Sequence, residues 1–391
     1  MTRTTRRFAG WMIAALTLGG SLVSPVLAAD SDGPDVGEGA APKIQLAILL
    51  DTSGSMSGLI NQARAQLWKI VNEFATARRD GREPRLEVAL YEYGNSGLAA
   101  DTGWIRQIVP LTDDLDKVSE ALFALSTNGG DEYCGQVIDA AVRELAWSKG
   151  DRDLKCIFIA GNEPFTQGPV DYHQACQAAV KKGITVSTIH CGPHETGVQT
   201  GWQDGAMLAD GSFMSIDQNQ AVAEIPAPQD KELAELSSKL NATYVVFGDV
   251  RAREAAATNQ GVQDANAASV AGAVAATRAL TKASNQYLCP GWDLCDALRL
   301  KKVKLEDLKE DELPEELRKM KLEERKAYIA RKQQERDELQ SKIRELGDAR
   351  SKFLAEARRQ QAEAGGGNAL EDAIIKSVRR QAGRQQYSFA N

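Results

Sequence analysis

Residues 46–56 read Leu-Ala-Ile-Leu-Leu-Asp-Thr-Ser-Gly-Ser-Met. From Ile44 to Leu50 only Gln45 interrupts the apolar run, the pattern of a central parallel strand covered on both faces. The run stops at Asp-x-Ser-x-Ser, so Asp51, Ser53 and Ser55 sit on a Gly-containing loop at the strand's carboxyl end. Ligand sites of open α/β sheets lie at that end. One carboxylate and two hydroxyls on one short loop suit a hard divalent cation that keeps several of its waters. The competing reading is local: Asp51 and the two hydroxyls cap backbone groups at the start of the next helix.

Outward from this loop, residues 43 to about 249 alternate helix and strand, the signature of a doubly wound, mostly parallel sheet. Leu59–Ala77 reads as an amphipathic helix and Leu86–Tyr93 as a strand, followed by a shorter strand at Ile105–Val109. Helices are expected at Asp114–Leu125, Gly135–Trp147, Val170–Lys182 and Asp230–Leu240. Strands are expected at Leu154–Ala160, Ile184–His190 and Thr243–Phe247. The stretch from Glu195 to Met214 reads as a long Gly-rich loop around Trp202, either a partner contact or a lid that packs its own tryptophan.

The Asp-x-Ser-x-Ser loop and this order of elements resemble a von Willebrand factor A (VWA) domain, a Rossmann-like α/β fold. The loop is similar to the first loop of its metal-ion-dependent adhesion site (MIDAS). The resemblance implies a second loop carrying Thr and a third carrying Asp. Here the second is Thr127-Asn-Gly-Gly-Asp131-Glu132-Tyr-Cys134, with Asp131 standing at the threonine position. The third is Ile157-Phe-Ile-Ala160-Gly161-Asn162-Glu163-Pro164, where Gly161 replaces the aspartate and Asn162 or Glu163 is left to reach the ion. The implied metal set is Asp51, Ser53, Ser55, Asp131 and Glu163. The implied ion is Mg²⁺, with Mn²⁺ or Ca²⁺ as alternatives. The implied partner is a protein whose acidic side chain completes the coordination.

The flanks set the context. Arg3, Arg6 and Arg7, an apolar stretch from Phe8 to about Val23 and the small-residue site Val26-Leu27-Ala28 read as a signal peptide over 1–29, cleaved near Ala28. Periplasmic export is the expected outcome, with 30–42 as a flexible leader. No later run is apolar enough for a membrane span, so no integral segment is expected in the mature chain. The six cysteines are compatible with an oxidising compartment. Cys289 and Cys295 are spaced to close a small loop, and Cys134, Cys156, Cys176 and Cys191 allow three pairings.

Residues 30–300 hold 22 Lys+Arg against 36 Asp+Glu, a net charge of −14, and 301–391 hold 22 against 18, a net +4. The acidic part would repel phosphates, which argues against nucleic acid as a partner. Residues 251–300 read as an Ala-rich helical connector, and 301–363 as a long charged helix or helical hairpin bent at Gly347-Asp348. Leu339, Ile343 and Leu346 give it a partial heptad stripe, so it is either a self-associating coiled coil or a solvated arm. Residues 364–391 are a Gly linker followed by a short amphipathic helix, opened by a capping-box-like Asn368-Ala-Leu-Glu371.

The expected function is an exported protein-interaction module with a divalent-ion site and a helical arm for assembly. The alternative is a structural envelope protein with a degenerate, metal-free domain. Catalysis is not expected: the chain shows no Gly-x-Ser-x-Gly or His-Glu-x-x-His motif and has three histidines.

Overall fold

The computed structural model describes residues 41–216, 225–363 and 369–389. The signal peptide, nearly all of the expected leader, and the Gly365–Asn368 stop and cap lie outside the described residues. The elements run β1 (Lys43–Asp51), α1 (Ser57–Ala75), β2 (Ala77–Arg78), β3 (Arg85–Tyr93), β4 (Ile105–Thr112), α2 (Leu115–Ala124) and α3 (Cys134–Glu144). There follow β5 (Leu154–Gly161), α4 (Tyr172–Lys181), β6 (Ile184–Cys191), α5 (His194–Gln199), α6 (Trp202–Leu208) and β7 (Asp210–Ile216). A helical region comprises α7 (Asp230–Asn241), α8 (Val250–Val270), α9 (Gly272–Lys282), α10 (Leu294–Arg299), α11 (Glu315–Arg318), α12 (Leu322–Glu363) and α13 (Ala369–Arg384), and β8 (Ser388–Phe389) follows it.

The main sheet has the order β4-β3-β1-β5-β6-β7. Every pair is parallel except β3–β4, which is antiparallel. β1 is central, and its alternation serves two cores. Ile44, Leu46 and Leu50 join α1, α2 and α13 on one face. Ala47 and Leu49 join α3, α4 and Trp202 on the other.

Two expectations about the sheet change. Thr243–Phe247 is not a strand: Val246 forms an isolated bridge to Asp293, and Val245 and Phe247 are buried with α10 and α11. The last strand of the sheet is instead β7, which begins inside the stretch read as a loop and runs two residues past Met214. Its sequence, Asp-Gly-Ser-Phe-Met-Ser-Ile, buries the alternate residues Ser212, Met214 and Ile216 and leaves the others wholly or partly exposed, as an edge strand permits.

The helical region is a second layer laid against the first. Arg278 of α9 is 1% exposed and pairs with Asp116 of α2 at 2.8 Å and Asp264 of α8 at 2.6 Å, with its guanidinium over the Trp68 ring. α12 then lies on α7 and α9. Its stripe of Leu339, Ile343 and Leu346 packs with Leu233, Leu236, Leu240 and Ala279, and the helix continues unbroken through Gly347-Asp348. The apolar seam read as a coiled-coil stripe is therefore used within the molecule. Arg336 and Arg350 of the same helix are both buried as well. Arg350 pairs with Asp230 at 2.7 Å. Arg336 forks onto Asp293 at 2.8 and 3.0 Å and lies over Tyr244.

All six cysteines are free thiols, which corrects the expected disulfides. Cys134 and Cys176 are buried on one side of the sheet, and Cys156 and Cys191 on the other. Cys156 and Cys191 stand near opposite ends of adjacent strands, and Cys289 and Cys295 belong to different clusters. Disulfide geometry needs Cα atoms within about 7 Å and converging Cβ vectors.

Arg336→Ala would leave the fully buried Asp293 carboxylate uncompensated. The expected loss is about 3–5 kcal/mol of unfolding free energy in a urea titration. Arg336→Lys restores little of it, because an ammonium cannot reproduce the two-pronged contact. An arm independent of the sheet domain would show neither effect.

Candidate metal centre at the carboxyl rim

Parallel pairing brings the ends of β3, β1 and β5 to one rim. Asp51 is in register with Tyr93, and Leu50 with Ala160. The loop after Asp51 is folded by its own carboxylate: Ser53 N–H donates to Asp51 Oδ1 at 2.8 Å, and α1 follows at Ser57. Thr52 ties this loop to both neighbours. Its N–H donates to Tyr93 O, its hydroxyl donates to Glu92, and its carbonyl accepts from Asn128 N–H in the second loop.

Asp51 is 0% exposed. Burial, opposed by the Ser53 N–H and hydroxyl and the Asn162 N–H, pushes its pKa up to about 6, and the Glu163 charge adds to the rise. Among the described residues its Oδ2 has no hydrogen-bond partner, and neither does Asn162 Oδ1. The Ser53 hydroxyl acts favourably on both Asp51 and Glu132, without a hydrogen bond of normal geometry. Ser55 is exposed at the rim and accepts from Asn162 Nδ2 at 3.3 Å.

The second loop contributes a residue outside the expected set. Glu132 is 7% exposed. A methyl group placed on Gly94 would meet Glu132 Cγ at 2.7 Å and Asp51 Oδ1 at 3.0 Å, so the two side chains share one space. Burial first, then the Asp51 charge, raises the Glu132 pKa to about 7. Asp131 is exposed, and its carboxylate accepts from the Tyr133 hydroxyl at 3.5 Å. Neighbours in an extended segment point to opposite sides, so a one-residue offset exchanges their roles. The structure thus brings Asp51, Ser53, Ser55 and Glu163 to the rim, omits Asp131 and adds Glu132.

The third loop's missing carboxylate has a steric cause. A Cβ on Gly161 would lie 2.4 Å from the Tyr93 hydroxyl and 3.0 Å from Asp51 Oδ2. Tyr93 is fully buried and donates to Ala160 O at 2.9 Å. Trp202 is also fully buried and donates to Glu163 O at 2.8 Å, so it braces the third loop from inside. His190, in register with Gly161, is buried beside Trp202, and burial lowers its pKa.

Among the described residues no three His, Cys, Asp or Glu side chains form a ready ligand cage. The rim still fits a hard cation held partly by hydroxyls and water: a buried carboxylate oxygen lacks a donor, and acidic groups crowd around it. Asp51, Ser53, Ser55 and Glu132 would hold the ion, which would supply an electrophilic position for an oxygen ligand.

Two outcomes test this geometry. Asp51 carries a raised folded pKa, so its contribution to stability is complete below its unfolded value near 4 and lost as pH rises through about 6. In EDTA, Asp51→Asn should therefore be more stable than the parent at pH 8, by on the order of 2–3 kcal/mol, and equal to it near pH 4. Denaturant titrations at both pH values check the sign. Gly161→Ala should cost about 1–3 kcal/mol, and adding Tyr93→Phe should recover part of that by removing the nearest atom. An Ala variant as stable as the parent would refute the steric account.

Residues 45–200 match the sequence profile of the von Willebrand factor type A domain. No curated protein matches the chain. The structure is similar to that of the conserved hypothetical protein BatB from Bacteroides thetaiotaomicron, at 17% identity over 44% of this chain and 90% of that one, with a TM-score of 0.34. The SpRpn10 VWA domain is 16% identical over 45% and 88%, with a TM-score of 0.34. Proximal thread matrix protein 1 from the mussel byssus, described with a zinc-occupied MIDAS motif, is 12% identical over 46% and 43%, with a TM-score of 0.35. The profile match spans the Asp-x-Ser-x-Ser loop, both companion loops and the strands that carry them: residues 45–200 of this chain are a von Willebrand factor type A domain.

Proposed function

We propose that the protein is an exported, periplasmic binding module that engages a partner protein through a divalent ion held at the β1–β3–β5 rim. Mg²⁺ is the first choice of ion, with Mn²⁺ and Ca²⁺ as alternatives. The carrying observation is the Asp51 carboxylate, fully buried, with one oxygen lacking a donor among the described residues, Glu132 sharing its space and the Glu163 charge acting on both. A group so placed is stabilised by a proton or by a cation, and near neutral pH a cation competes well. Export rests on the basic, apolar and small-residue order of residues 1–29. The module acts by binding and not by catalysis. The charged outer face of α12, whose apolar stripe is already occupied, is what remains for an assembly role.

One observation favours the second reading, a metal-free structural domain: position 161, where the family resemblance implies an aspartate, has no room for a side chain. Calorimetric titration of Mg²⁺ and Mn²⁺ into the metal-stripped protein decides between them, with Asp51→Ala as the control. The ion-dependent reading expects saturable binding near one ion per chain, abolished in the variant. Absence of binding at millimolar metal would establish the metal-free reading.

A further inference from the structure

The expectation from the family resemblance was a partner's acidic side chain at the ion. The rim's own charges argue for a different ligand. Where a third-loop side chain would stand, the Tyr93 hydroxyl and Asp51 leave no room for a Cβ. The second loop compensates. Its buried Glu132 lies against Gly94 in the space it shares with Asp51, and Gln167 Oε1 accepts the Glu132 N–H at 2.9 Å, fixing the backbone there. Glu163 lies close enough for its charge to act on both. Hydrogen bonding points to the same place as charge: among the described residues the buried Asp51 Oδ2 and Asn162 Oδ1 have no donor, and they mark a place for a cation.

We propose that Glu132, not Asp131, is the second ion-holding carboxylate, and that the ion it helps hold presents its open position to a neutral oxygen donor of the partner. Such a donor is a backbone carbonyl, a carboxamide or a hydroxyl. The inference rests on the reading of the rim as an ion site. The reason is charge balance. Asp51 and Glu132 together cancel a divalent charge, and Glu163 adds a further negative charge nearby. An incoming carboxylate would meet net repulsion in a poorly screened place, while a dipolar oxygen would still gain from the ion.

The test uses Mn²⁺ with the full chain, read by water-proton relaxation so that both ion binding and displacement of ion-bound water are seen. Glu132→Gln should weaken Mn²⁺ binding about tenfold or more, while Asp131→Asn changes it by less than about twofold. At saturating Mn²⁺, millimolar acetate should leave the parent's ion-bound water in place and displace it in Glu132→Gln. Far-ultraviolet circular dichroism and thermal melts establish that the variants fold. Parent-like Mn²⁺ affinity in Glu132→Gln, with binding lost in Asp51→Asn, would overturn the role of Glu132 and leave the ion site standing. Equal displacement by acetate in parent and variant would overturn the neutral-ligand assignment. A parent that binds no Mn²⁺ at all would remove the ion site and this inference together.

Discussion

Asp51 is an acid placed where water does not reach, and the rim is built around that constraint. Ion pairing is the usual answer to a buried carboxylate, but here the nearest charged side chains are themselves acidic. Stabilisation comes instead from N–H groups: that of Ser53, which fixes the turn into α1, and that of Asn162, which draws in the third loop. Holding those donors in place requires Thr52 to be bonded to β3 and to the second loop at once. The loops therefore converge on the carboxylate because leaving it unsupported costs more than ordering them. That same convergence makes the position suited to an ion.

A second principle governs the outer layer. Arg278, Arg336 and Arg350 are nearly fully buried, and each meets an aspartate from a different element. Planar guanidinium forks are suited to this, since several donors are satisfied by one carboxylate and a carbonyl or two. Apolar packing alone would let α7, α9 and α12 slide along one another. Paired buried charges penalise every register but one, so the helices are fixed in position as well as in contact.

How much of this was readable without coordinates follows from where the information sits. The run Leu46–Met56 carries both its burial and its chemistry within eleven residues, so strand, rim and first loop were legible. So was the alternation that places β3, β5 and β6. β7 was not, because an edge strand need bury only alternate residues, and its Ser and Gly content looks like a turn. Glu132 was missed in favour of its neighbour Asp131, since sequence gives the loop but not which side of it faces Asp51. The destiny of α12 was hidden for a different reason. The aspartates that neutralise its buried arginines lie 43 and 120 residues away, and local hydropathy cannot register a partner at that distance. The cysteines, finally, suggested an oxidised framework by number alone, while the fold spreads them over both faces of the sheet and the helical region as six free thiols.

α13 and β8 return to the layer that β1 opens. α13 lies on β7 and α1, with Ser377 and Gln381 bonded to Ser212 and Ser187. Tyr387 then donates to the carbonyl of Lys43, 344 residues earlier, and β8 pairs with β2. Val378 and Ala382 belong to the same core as Ile44 and Leu46. In the order of synthesis, β1 and α1 emerge early, while the part of this layer that α13 covers, at β7 and the flank of α1, stays open until α13 is made. Closing so long a loop is slow, and the uncovered apolar face is a hazard for association throughout. A chain without α13 would carry every residue of the rim and still lack the helix that covers β7. Shielding of that part of the sheet is thus coupled to the arrival of α13, long after the rim itself has been made.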